Sequence, residues 1–98
     1  MREYIMLMHS DTVSAESATD WDAYIGRLHE SGCFRGGSVI GAGQSFRKEG
    51  VADPVAAHII GFIRIEAVDL EAARALLKGN PTFEAGGTVE IRELPRTS

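Results

Sequence analysis

The chain has 98 residues, 44% of them hydrophobic, with 10 Lys and Arg against 14 Asp and Glu for a formal net charge of -4. That is one domain with enough apolar content for a core, so an intrinsically disordered chain is excluded. The acidic balance argues against a phosphate-backbone partner, and the strands lack the aromatic and basic pattern that stacking on bases requires, so no nucleic acid is expected. The single cysteine, Cys33, excludes an internal disulfide and a four-cysteine metal site and fits a reducing, cytoplasmic setting.

The first strand is Glu3 to His9. Its two alternating sets, Ile5 with Leu7 and Tyr4 with Met6 and Met8, are both apolar, which predicts a central strand. This apolar run is too short for a signal peptide or a membrane span. A helix follows near Ser17, where Ser17 and Asp20 fit a capping pattern. Trp21, Tyr24, Ile25 and Leu28 form its apolar stripe, and Gly32 sits just past its end.

Cys33 to about Phe46 is rich in glycine; Cys33-Phe34 and Val39-Ile40 suggest a strand bent or bulged by its glycines, with Cys33 a small buried hydrophobe, and a phosphate-cradling loop is the alternative, disfavoured because no Lys-Ser/Thr follows. Arg47 to Pro54 is a charged turn. Ala57 to Glu66 is the strand about which the chain is organised. Ile59, Gly61, Ile63 and Ile65 form one wholly apolar set; His58, Ile60, Phe62, Arg64 and Glu66 form the other, apolar in its middle. Asp69 caps a second helix whose apolar stripe is Leu70, Ala73, Leu76 and Leu77. Gly79 stops that helix and Pro81 prevents its resumption. After the Gly86-Gly87 turn, Thr88 to Leu94 is the last strand, with Val89 and Ile91 on one face and Glu90 and Arg92 on the other.

The order β-α-β-β-α-β, with right-handed crossovers, predicts one α+β ferredoxin-like domain over residues 1–98 with antiparallel sheet order 4-1-3-2. That order makes strands 1 and 3 central, and these are the two strands apolar on both faces.

Several runs together resemble the YCII-related proteins of the Asp-Gly-Pro-Phe branch. They are Tyr4-Ile5-Met6-Leu7-Met8, Leu28-His29-Glu30-Ser31-Gly32, Phe46-Arg47-Lys48-Glu49-Gly50, Gly61-Phe62-Ile63-Arg64-Ile65-Glu66, Leu70-Glu71-Ala72-Ala73, Asn80-Pro81 and Val89-Glu90-Ile91-Arg92. In place of the branch motif this chain has Asp53-Pro54-Val55. Where some members carry the His of a His-Asp pair it has Asp20 and Trp21, so there is no histidine to carry over. The resemblance implies a dimeric α/β barrel made of two ferredoxin-like sheets packed face to face. The residues support this independently: helices can cover one face of the sheet only, and the Ile60 and Phe62 face needs another cover, which a homodimer provides.

The end of strand 1 lies beside the start of strand 3, which puts His9 and His58 at one end of the sheet. Asp11, Arg47, Asp53 and the start of the first helix share that end, and it is the expected pocket. His29 lies at the opposite end. The candidate catalytic residues are therefore His9 and His58 as general acid or base, with Asp53 orienting them. Arg47, Asp11 and Trp21 are the candidate substrate contacts, with Arg47 clamping the anion of a small organic acid. Without close His-x-His spacing no metal is expected, and no cofactor is implied. Arg64 and Glu90, on the face turned toward the second subunit, are placed to form an ion pair. The functional expectation is a homodimeric small-molecule-binding or lyase-like barrel. A non-catalytic homodimeric partner-binding or regulatory module is the alternative, and a cofactor-free monooxygenase-type barrel is third.

Overall fold

A computed structural model describes residues 1–96. It contains β1 (Arg2–His9), α1 (Ala18–Ser31), β2 (Phe34–Val39), β3 (Ile59–Ala67), α2 (Leu70–Ala75), α3 (Pro81–Glu84) and β4 (Val89–Leu94). The four strands form one sheet of order β2-β3-β1-β4, and every neighbouring pair is antiparallel. This is the ferredoxin-like arrangement expected from the element order, with β1 and β3 central.

The core lies on one face of the sheet. Tyr4, Met6 and Met8 of β1 and Ile63, Ile65 and Ala67 of β3 are buried there against Tyr24 and Leu28 of α1 and against Ala73 and Leu77. Register links the sets, since Tyr4 faces Ile65 and Met6 faces both Ile63 and Ile91. On the other face Leu7 pairs with Phe62 and Glu90, and Ile5 with Arg64 and Arg92. Ile5, Leu7 and Phe62 are only half-buried and Ile60 is 39% exposed. Among the described residues no helix covers this second, open face.

The helix ends follow local chemistry. The Ser17 side chain accepts from the Asp20 amide at 3.0 Å, and Gly32 closes α1 at φ 77°, a left-handed conformation that glycine adopts without strain. Asp69 caps α2 by accepting from the Ala72 amide at 2.8 Å. Tyr24 joins α1 to the segment after α2, with its hydroxyl donating to the Leu76 carbonyl at 2.7 Å. Burial holds its phenol above the ordinary value.

The strand suggested by Cys33-Phe34 and Val39-Ile40 is present as Phe34–Val39, and residues 40–58 are irregular. Its bulge is present, as a register shift between Phe34 and Gly36. Several expectations need correction. Cys33 is half-buried at the entry to β2 instead of buried in the core. Pro81 does more than end a helix: Asn80 caps the Phe83 amide at 3.1 Å and Pro81 opens α3, a position where its missing N–H costs nothing. Leu70 is 53% exposed and lies outside the packed stripe. Arg64 pairs with Glu3, at 2.7 Å, and not with Glu90.

Replacing Tyr24 with Phe should cost about 1–2 kcal/mol, because the Leu76 carbonyl loses its donor inside the core. Urea unfolding of the two proteins at neutral pH measures this, and an unchanged midpoint would show that the bond is not structural.

Candidate functional site

The connection from β1 to α1 is tied down along its length. The His9 amide donates to Thr88 O at 3.0 Å, the Ser10 amide to His58 O at 2.8 Å, and the Val13 amide to Ala85 O at 2.8 Å. Asp11 accepts from both the amide and the hydroxyl of Thr88, at 2.7 and 2.6 Å. Those two bonds hold the Asp11 carboxyl below its ordinary value. The far end of this connection carries Glu16 onto Thr82 of α3 and Trp21 of α1. Glu16 Oε1 accepts from Trp21 Nε1 at 2.7 Å, and Thr82 Oγ1 lies 3.3 Å from Glu16 Oε2.

Glu16 and Trp21 stand at the wall of an apolar cavity of about 660 Å³ between α1 and the β2 side of the sheet. Ile25 of α1, Phe34 and Gly37 of β2, and Ile63 of β3 line it as well. The space exists because β2 brings little bulk under the helix. Gly37 runs so close to β3 that a Cβ there would meet the Phe62 carbonyl oxygen at 2.6 Å. Trp21, Ile25 and Phe34 pack against the core yet stay only partly buried. Among the described residues Glu16 is the only ionisable side chain lining the cavity.

The two histidines lie together elsewhere. Their ring centroids are 5.0 Å apart and edge-on at 76°. His9 Nε2 is 3.1 Å from Glu90 Oε1, and Arg92 approaches the other Glu90 oxygen at 4.0 Å. By strand alternation His9 shares the open face with Leu7 and Glu90, and neither histidine lines the cavity. Glu90 is thus the partner of His9. Arg47 and Asp53 are exposed in the irregular 40–58 segment, and among the described residues no hydrogen bond or ion pair links either one to His9 or His58. Trp21 alone of the six candidate residues lines the cavity; Asp11 holds Thr88. Among the described residues, no group of three or more His, Cys, Asp or Glu is arranged to hold a metal ion. No helix among them is long and apolar enough to cross a membrane.

Glu16 was not legible as a site residue in the sequence. It immediately precedes a capping serine, where an acidic residue is favourable beside any helix N-terminus. The one signal was a tryptophan five residues on, whose N–H needs an acceptor when partly buried.

A two-layer α+β fold of the ferredoxin-like class, with an apolar cavity between helix and sheet edge, is what these features define. No family model matches the chain, and no curated protein matches it. Among solved structures it is similar to 5-chloro-2-hydroxyhydroquinone dehydrochlorinase from Burkholderia phenoliruptrix AC1100, in complex with 2,5-dihydroxybenzoquinone. The match has a TM-score of 0.57 at 12% identity and covers 97% of this chain and 95% of that one. At that identity the likeness is one of fold.

Asp11→Asn should lower stability at neutral pH, by weakening the grip on Thr88. The Asp11 pKa is depressed in the folded state, so its stabilisation is present above the ordinary value of 3.8 and is lost as pH falls through the lower native value. The stability gap between the two proteins should therefore close in strong acid. Denaturant unfolding at neutral and strongly acid pH measures it, and a gap independent of pH would rule out this electrostatic origin.

Proposed function

We propose that the chain is a homodimeric, YCII-related small-molecule-binding protein whose ligand sits in the cavity between α1 and β2. The observation that carries this reading is the cavity itself. About 660 Å³ is bounded by Trp21, Ile25, Phe34 and Ile63, with one carboxylate on its wall, and pockets of this size with few convergent polar groups are typical of small-molecule sites. Trp21, Ile25 and Phe34 are only partly buried, and a ligand that covers them gains about 25 cal/mol for each Å² removed from water. The fold neighbour supports the size class, since its ligand is a single six-membered ring. A lyase-like step needs a group that can accept or donate a proton, and among the described residues Glu16 is the one ionisable candidate on the wall.

The homodimer is supported by the open face. Ile5, Leu7, Ile60 and Phe62 form an apolar centre there, flanked by the His9–Glu90 contact near one end and the Glu3–Arg64 and Glu66–Arg35 pairs near the other. A central pair of strands left half uncovered is better accounted for by a second sheet than by water.

Two measurements test the reading. Neutral single-ring compounds should saturably change the fluorescence of Trp21, the only tryptophan. Ile25→Phe, which adds bulk at the cavity wall, should weaken that binding about tenfold, as loss of one to two kcal/mol of contact predicts. Absence of any saturable response would refute a ligand site here. Leu7→Glu, placing a charge at the centre of the open face, should convert the dimer to a folded monomer in sedimentation equilibrium. A wild-type protein that sediments as a monomer refutes the assembly.

A further inference from the structure

We infer that the cavity is selective for amines, with the ammonium group of a compact apolar amine against Glu16 and its hydrocarbon body between Trp21 and Phe34. This rests on the reading of the cavity as a ligand site and adds the chemistry of the ligand's polar group.

Charge is the first reason. The lining contains Glu16 and no Lys, Arg or His. An adjoining hollow of about 420 Å³ shares Glu16 and adds Asp20 and Glu84 against the single Arg27. The polar edge of the site is therefore net negative. A carboxylate or phosphate brought there would meet like charge in a partly desolvated setting, while an ammonium would gain a charge-assisted hydrogen bond.

Hydrogen-bonding capacity is the second. A carboxylate only accepts, and each oxygen has about two lone-pair directions. Trp21 Nε1 takes one on Oε1 and Thr82 Oγ1 approaches Oε2. Both oxygens keep capacity for a further donor, and the two existing contacts hold the carboxylate so that little ordering remains to be done when a ligand arrives. An ammonium offers three donors.

The indole is the third. Trp21 lines the same cavity as the carboxylate it bonds. The indole N–H holds that carboxylate at the edge of the ring, which leaves the ring to cover the hydrocarbon body of the amine. Nothing in the cavity offers the complementary setting for an anion; Arg47, the residue expected to clamp one, is exposed in the 40–58 segment and does not line it.

The test uses three compounds with nearly the same body: benzylamine, benzyl alcohol and benzoate, titrated into the full-length protein at neutral pH with Trp21 fluorescence as the readout. Benzylamine should bind about tenfold more tightly than benzyl alcohol, the usual margin for a hydrogen bond to a charged group, and benzoate most weakly. Glu16→Gln retains an acceptor for Trp21 and a donor for Thr82, so it should keep alcohol binding and bring amine binding down to the same level. The wild-type order alone is decisive if that variant does not fold. Equal binding of all three compounds overturns the amine preference and leaves the cavity as a ligand site. Benzoate binding most tightly also overturns it. An unchanged preference in Glu16→Gln shows that the carboxylate is not its source. No binding by any of the three overturns both readings.

Discussion

The antiparallel pairing of β1 with β3 is the constraint on which the rest of the molecule depends. It runs from Arg2 opposite Ala67 to His9 opposite Ile59, with a single irregularity at its last step. Because side chains alternate, this one register decides both faces at once. It puts Tyr4, Met6 and Met8 beside Ile65, Ile63 and Gly61 under the helices, and Leu7 beside Phe62 on the other side. A slip of one residue would send the apolar core set to the open face and strand Arg64 and Glu66 beneath α1. The central pair therefore sets where the helices dock, which face is left over and which end carries the histidines.

Most of this was readable because it depends on periodicity and on strong local punctuation. Two strands apolar on both faces can only be central, and among β-α-β-β-α-β arrangements that points to 4-1-3-2. Ser17, Gly32 and Asp69 act through their own backbone neighbours, so their roles are visible without tertiary information. The strand that Cys33-Phe34 and Val39-Ile40 suggested is β2, which stops at Val39 ahead of Gly41 and Gly43. The misreadings have a common cause in competition between local and global terms. Pro81 carried two compatible meanings, helix stop and first helical residue. The choice between them was made by Asn80, whose side chain caps the new turn. Arg64 had a nearer carboxylate in Glu3, on the neighbouring strand, than the one on β4.

The site was less legible than the fold. Topology brought His9 and His58 to one end of the sheet, and their rings are in contact. Topology does not say which face of the sheet a cavity occupies, however. That depends on where bulk is missing, and bulk is missing beneath α1 on the β2 side. The decisive residues there, Glu16 and Thr82, come from segments that no spacing rule relates, since they are 66 positions apart and meet only because the β1–α1 connection is bonded to residues 85 and 88. Asp11 matters through that same connection. Its two bonds to Thr88 fasten the loop that carries Glu16, which links a residue expected to touch substrate to the position of a carboxylate that was not expected at all.

The two faces of the sheet differ in character. The open face is broad, with an apolar middle and ion pairs toward its ends, as suits a surface that meets another surface. The helix side is concave at its β2 edge, and the Glu16 carboxylate there is anchored by an indole and a hydroxyl. Gly37 stands at the boundary between them. Its close approach to the Phe62 carbonyl lets β2 pair tightly with β3, and its lack of a side chain keeps volume open under Trp21 and Ile25. A larger residue there would have to push β2 off β3, disturbing the Ser38–Phe62 register on the open face as well as the cavity on the other. Ile60 and Phe62 line the cavity as well as belonging to the open face, so the proposed assembly and the proposed ligand site meet at this edge of the sheet. A ligand that orders β2 would stiffen the edge of the sheet that a second subunit would have to cover, and covering that face would in turn hold β2 in the position the cavity needs. Linkage requires any such effect between the proposed ligand and the proposed second subunit to be equal in both directions.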